Sequence, residues 1–360
     1  MEMRMRNRIW IVAAAIAAVI IAPSGTVARD GLAPVPNQVV GNEITPESSR
    51  AVELGLAFLA ARQQPDGGLG MEYNQGVGHV AVTSLAGLAF MSAGNLPGRG
   101  RYGQQVQRCL DFILAATQES GVIVTGNSSG PMYGHGFATL FLGEIYGMAG
   151  GDNVKEKLQK AVRLIQNVQN PEGGWRYNPQ PADADISVTI CQIMALRSAR
   201  DAGLKVDRQV IDRAVAYVRR CQNPDGGFSY QASAGTSGFA RSAAGVASLY
   251  YAGVFEGNDL KRGLDYLKQF STRGGGYDSG TESMYFYGHY YAAQAMFLAG
   301  EEYWASYFPA IRDQLVARQD RGTGSWRGEA GLEYATAMAC IILQMPHRYL
   351  PVFHGKGPGG

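Results

Sequence analysis

The sequence predicts an all-α fold, an α6/α6 toroid in which six helix pairs close into a barrel. Two observations carry this. One punctuation recurs at a spacing of roughly fifty residues, which marks a repeat architecture. Its fullest copy is Val168-Gln169-Asn170-Pro171-Glu172-Gly173-Gly174-Trp175-Arg176-Tyr177. Between copies lie two helical segments of different character, one half polar and one apolar nearly all round. A helix apolar on every side must be buried on every side. The apolar segments therefore line the inside of the ring and the half-polar ones the outside.

Composition agrees with a large interior. Of 360 residues 46% are hydrophobic and 17% charged, with a formal net charge of +2. No basic block occurs beyond the N-terminus, so nothing argues for nucleic acid. The 48 glycines sit at the repeat turns and inside apolar segments instead of in low-complexity runs.

In chain order, Arg4, Arg6 and Arg8 precede an apolar run, Ile9 to Ala22, and a break at Pro23-Ser24-Gly25. With small residues at Thr26-Val27-Ala28, residues 1–28 read as an export signal. Its run is short for a membrane span of about twenty residues. Cleavage is expected, giving a periplasmic or extracellular protein; a retained anchor would leave it near the membrane. Residues 29–47 read as a flexible leader, 48–350 as the toroid and 351–360 as a C-terminal tail.

The turn copies follow at Gln63-Gln64-Pro65-Asp66-Gly67-Gly68-Leu69-Gly70, Gln118 to Ile123, Val168 to Tyr177, Cys221 to Tyr230, Thr272 to Tyr277 and Gln319 to Trp326. Proline lacks the amide donor, the residue before it leaves the α region, and glycine takes positive φ, so each copy ends one helix and reverses the chain. Trp175, Phe228 and Trp326 are expected to staple these turns. The outer helices are typified by Val154, Leu158, Ala161, Val162, Ile165 and Val168, which share one helical face. The inner helices are expected at Val80 to Ala93, Gly136 to Ala149, Ile186 to Leu196, Ala243 to Tyr251, Tyr290 to Ala299 and Ala335 to Met345. On this plan Cys109 and Cys221 lie on outer helices, Cys191 and Cys340 on inner ones, and none are neighbours. Free buried thiols are expected instead of disulfides.

The Gln-x-x-Asp/Glu-Gly-Gly-Trp/Phe punctuation resembles the repeats of the terpenoid cyclase and protein prenyltransferase superfamily across about residues 48–350. Tyr133-Gly134-His135-Gly136, Ser325-Trp326 and Tyr349-Leu350-Pro351-Val352 are similar to its short, exported bacterial members. The resemblance implies an apolar central cavity for an isoprenoid or other lipid, with reactive groups at one mouth near the starts of the inner helices. Here those positions hold His79, His135, Asp183, Asp185, Arg241, Tyr287, His289 and Glu333. Converging helix N-termini there favour an anion or carboxylate.

Asp183 and Asp185 match the first two aspartates of the Asp-x-Asp-Asp acid of class II cyclases, such as squalene-hopene cyclase. Ile186 replaces the third, leaving two readings. Asp185 is a proton donor with a raised pKa, or it caps the inner helix, where accepted amides would lower its pKa. His79, His135 and His289, with Asp183 or Glu333, either form a zinc site or pack singly against loops; no Asp-x-Cys zinc motif of protein prenyltransferases occurs. Tyr285, Phe286, Tyr287, Tyr290, Tyr291, Phe239, Tyr250 and Tyr251 either stabilise carbocations through their π faces or fill the core. Three functions follow: an exported isoprenoid- or lipid-binding protein with cyclase-like chemistry, a scaffold for a protein partner with its centre filled by aromatics, and a metal-dependent enzyme. The Cys-Gly-Glu-Gln loop of thioester domains and the phosphate-binding loop are absent from the sequence.

Overall fold

The computed structural model describes residues 43–354 apart from 73, 127–129, 233–234 and 271–283, all within the compact unit Ala33–Gly360. The expected export signal, residues 29–42 of the leader, the turn copy at 272–277 and residues 355–360 lie outside the described residues. Twelve α-helices occur among those described: α1 Pro46–Arg62, α2 Val80–Ser92, α3 Gly103–Ala115, α4 Met132–Ala149, α5 Asp152–Asn167, α6 Ile186–Asp201, α7 Arg208–Arg220, α8 Phe239–Tyr251, α9 Asn258–Lys268, α10 Tyr285–Ala299, α11 Glu301–Arg318 and α12 Leu332–Gln344. None of them is long and apolar enough to cross a membrane.

The even-numbered helices form the inner ring. α2 packs on α4, α4 on α6, α6 on α8, α8 on α10, α10 on α12, and α12 returns to α2. Every residue of α2 is buried, as expected of a helix enclosed on all sides. The odd-numbered helices flank this ring; α5 buries only Val154, Leu158, Ala161, Val162 and Ile165, the stripe read from its sequence.

The described repeat turns share one feature, a positive-φ glycine set against a carbonyl of the neighbouring outer helix. In the third, Gly173 has φ 99°, and a Cβ there would stand 2.2 Å from the Arg213 carbonyl oxygen of α7. Only glycine admits both the left-handed backbone and that approach. The glutamine of each of four copies then ties its turn to the next outer helix. Gln169 Nε2 donates to the carbonyls of Gly173 and Val210, both at 2.8 Å. Gln63 and Gln222 repeat the arrangement toward Gln105 and Asp259. Gln319 donates to Gly324 and to Ala51 of α1, so the last turn grips the first helix and closes the ring.

The staples form as expected. Trp175 Nε1 donates to Ile165 O at 2.8 Å and Trp326 Nε1 to Leu315 O at 2.7 Å. Hydroxyls of the inner helices, Thr189 and Thr336, accept the backbone N–H of the same tryptophans. All four cysteines are free and buried. At the ends the expected boundaries shift. Pro46 and Glu47, read as leader, begin α1, which Thr45 and Ser48 close with a capping box. In the tail, Pro351–Phe353 forms a 3-10 turn whose Val352 and Phe353 are buried.

Candidate ligand cavity and the mouth residues

A cavity of about 760 Å³ opens where the inner helices begin, within the roughly 300–1,000 Å³ of small-molecule sites. The first turns of α2, α4, α10 and α12 wall it, through His79 to Val82, Tyr133, Phe137, Tyr287 and Tyr334. Loop residues Asn74, Val77, Val124, Tyr177 and Glu329 form the rim. Phe137 closes the lower side edge-on against Tyr290 at 6.1 Å, and Tyr290 and Tyr291 are fully buried beneath. Aromatic side chains thus pack directly beneath this mouth cavity.

Two of the residues read from the sequence line this cavity. His79 is the N-cap of α2 and its Nδ1 accepts from Ala81 N at 3.2 Å. Burial lowers its pKa to about 4, so at neutral pH the ring is uncharged with its proton on Nε2. Tyr287 directs its hydroxyl to Ser187 O at 3.3 Å, and burial raises its pKa.

The other six lie elsewhere, and helix geometry explains most of the division. At 3.6 residues per turn, side chains two apart project to nearly opposite faces. Tyr133 faces the cavity, so His135 turns outward, where Nδ1 accepts from Ile123 N at 3.2 Å and burial lowers its pKa to about 4. Tyr287 and His289 divide in the same way; His289 Nδ1 meets Tyr307 Oη of α11 at 2.9 Å. Glu333 precedes the cavity-lining Tyr334 and accepts from Arg62 Nε of α1 at 2.8 Å. Arg241 bonds the loop carbonyl of Thr236 at 2.9 Å. The histidines are therefore not brought together, and among the described residues no group of three or more His, Cys, Asp or Glu is placed to hold a metal ion.

Asp183 and Asp185 flank one guanidinium, that of Arg176, but differ in burial. Asp183 is exposed and pairs with Arg176 at 2.8 Å. Asp185 is fully buried behind the cavity wall, where its Oδ1 accepts from Ser187 N and Val188 N, both at 2.9 Å. That is the cap geometry, yet the pKa does not fall. Burial raises it to about 6, outweighing the Val188 amide, Arg176, the Ser187 amide and the neighbouring Tyr230 hydroxyl. Arg176 Nε stands 3.6 Å from Asp185 Oδ2, an ion-pair distance too long for a formed hydrogen bond. The arginine also lies over the rings of Tyr177 and Tyr230, whose hydroxyls are paired.

Sequence reasoning passed over Glu329, Tyr334, Tyr177 and, as a site residue, Tyr133. Glu329 is the cavity's one acidic side chain among the described lining residues. Its Oε1 accepts from Tyr287 N at 3.0 Å, while its Oε2 is buried without a formed hydrogen bond. Burial raises its pKa against the opposing effects of backbone amides and the nearby Tyr334 hydroxyl. The available signal was position: Tyr177 and Glu329 follow Trp175 and Trp326 by two and three residues, where the chain leaves a stapled turn for the mouth.

The family model of the prenyltransferase alpha-alpha toroid domain matches residues 37–331. A drimenyl diphosphate synthase of Streptantibioticus cattleyicolor is 26% identical over 197 residues, covering 50% of this chain and 33% of that protein. The chain thus matches about a third of that relative's length. A type II terpene cyclase from Scytonema, in complex with geranylgeranyl dihydroxybenzoate, superposes with a TM-score of 0.59 at 14% identity over 84% of this chain and 98% of its own. An alpha-1,6-mannanase of Salegentibacter gives 0.62 at 8% identity over 84% and 99%. A cellobiose 2-epimerase from Spirochaeta thermophila gives 0.61 at 13% identity over 83% and 97%. Identities this low show a shared fold and nothing of activity.

Proposed function

The chain belongs to the prenyltransferase alpha-alpha toroid domain family, and from that premise we propose that it is an exported protein that holds an isoprenoid or other lipid chain in the mouth cavity. The observation that carries this reading is the lining: valines, Phe137, Met284 and tyrosines surround a space large enough for a chain molecule. Each methylene moved from water into such a lining contributes about 0.8 kcal/mol, so roughly ten buried carbons contribute about 8 kcal/mol before the costs of association. The relative named for an isoprenoid product, the drimenyl diphosphate synthase, supports the same ligand class. Export rests on residues 4–28. Cyclase-like chemistry needs a carboxylic acid that keeps its proton near neutral pH; Asp185 behind the wall and Glu329 in it both have raised pKa values.

Native mass spectrometry of the mature domain with farnesol, geranylgeraniol and mannotriose tests the reading. An isoprenoid adduct of one-to-one stoichiometry is expected, and Ala81→Phe, which places a ring in the cavity, should abolish it. Extraction of the same mixtures reads any cyclised product. A mannotriose adduct with no isoprenoid adduct would sink the proposal and favour the carbohydrate chemistry found elsewhere on this fold.

A further inference from the structure

We infer that Phe137 sets the length of the chain the cavity holds, the hydrocarbon end resting on its ring and the polar end staying at the rim; this rests on the isoprenoid reading of the cavity. Val82, Tyr287 and Tyr334 line the cavity as the third residues of α2, α10 and α12, whereas Phe137 is the sixth residue of α4. At 1.5 Å per residue it stands roughly 4.5 Å further along its helix, which makes it the floor. Asn74, Gln75, Thr125 and Glu329, the polar lining residues that precede the inner helices, stand in loops at the rim. A polar end carried down to the ring would leave its hydrogen bonds to water unreplaced, so the apolar end goes first. The floor is backed from below. Phe137 meets Tyr290 edge-on at 6.1 Å, Tyr290 meets Tyr291 at 5.0 Å, and Tyr291 meets Tyr287 at 4.8 Å. Tyr291 is held further by Cys191 Sγ, 3.3 Å from its hydroxyl. A close-packed interior of this kind yields little to a longer chain. Carbons beyond the floor's reach remain at the mouth and add little affinity.

Equilibrium dialysis of the protein with labelled geraniol, farnesol and geranylgeraniol tests this. Each further carbon brought into an apolar lining strengthens binding by about fourfold at most. Phe137→Ala opens the space toward the Tyr290 ring, 6.1 Å beyond the Phe137 ring and comparable with the length of one isoprene unit. It is expected to raise the affinity of geranylgeraniol relative to farnesol at least about tenfold over the wild-type ratio. Phe137→Trp raises the floor and should lower the affinity of farnesol relative to geraniol by about fourfold or more. Ratios compared between proteins cancel the alcohols' own differences in solubility, and a variant that merely loosens the fold weakens all three alcohols together. Should Phe137→Ala not fold, the Phe137→Trp ratio decides by itself. Ratios that stay at the wild-type values, or move in the opposite sense, would overturn the assignment of Phe137 alone. Binding of no alcohol to the wild type would overturn the isoprenoid reading and this inference with it.

Discussion

Replacing Asp185 with Asn tests how a helix cap behaves when it is sealed from water. Asn caps a helix about as well as Asp, so the hydrogen bonds to Ser187 N and Val188 N are expected to persist. The carboxylate's difficulty is burial, which moves its pKa from 3.8 to about 6. Because the folded-state value is the higher one, Asp185 contributes stability while protonated; that contribution is complete below about pH 3.8 and is lost as pH rises through about 6. A separation of about two pH units corresponds to about 3 kcal/mol. Urea titrations of both proteins between about pH 4 and pH 8 should give similar stabilities at the acid end. At the alkaline end Asp185→Asn is expected to be the more stable, by up to about 3 kcal/mol. A variant less stable than wild type by over about 1 kcal/mol at pH 8, with an unchanged pH profile, would refute the dominance of burial.

Gly173→Ala is expected to cost about 3 kcal/mol or more, from positive φ together with a methyl forced against the Arg213 carbonyl; the midpoint of urea unfolding measures it. Gln319→Ala removes the donor shared by Gly324 and Ala51 and should cost roughly 1–3 kcal/mol. Hydrogen exchange should then show faster opening of α1 and α11 than of α5 and α6, and uniform protection would contradict the ring-closing role. Trp326→Phe keeps the buried ring but loses the bond to Leu315 O, and should lower stability by about 1 kcal/mol in the same titrations.

The turns and the inside-outside order of the helices were legible because local chemistry fixes them. A proline, two glycines and an aromatic at a repeat turn have few conformational options, and α5 announces its buried face by a polar one. The rotation of each inner helix was not legible. α2 and α10 are apolar around their whole circumference, so no stripe in the sequence says which residue looks down the axis. Tyr133 and His135, or Tyr287 and His289, are equivalent in sequence and opposite in space. Asp185 illustrates a second limit: its cap was readable, whereas the direction of its pKa depended on a burial that only the packed structure supplies. Glu329 went unnoticed because it stands in the loop before α12 and not at a helix start, though the Tyr287 amide holds it in the cavity wall.

Photoaffinity labelling tests the central claim most directly, because it asks where a chain binds as well as whether it does. A farnesol analogue carrying a diazirine, irradiated with the protein and mapped by peptide sequencing, is predicted to label residues of the mouth lining, such as Val77, Val82, Tyr133, Phe137 and Tyr287. Excess unlabelled farnesol should suppress the labelling. Label confined to the outward faces of α5, α7 or α9, or labelling that farnesol fails to displace, would contradict a ligand cavity at the mouth of this toroid.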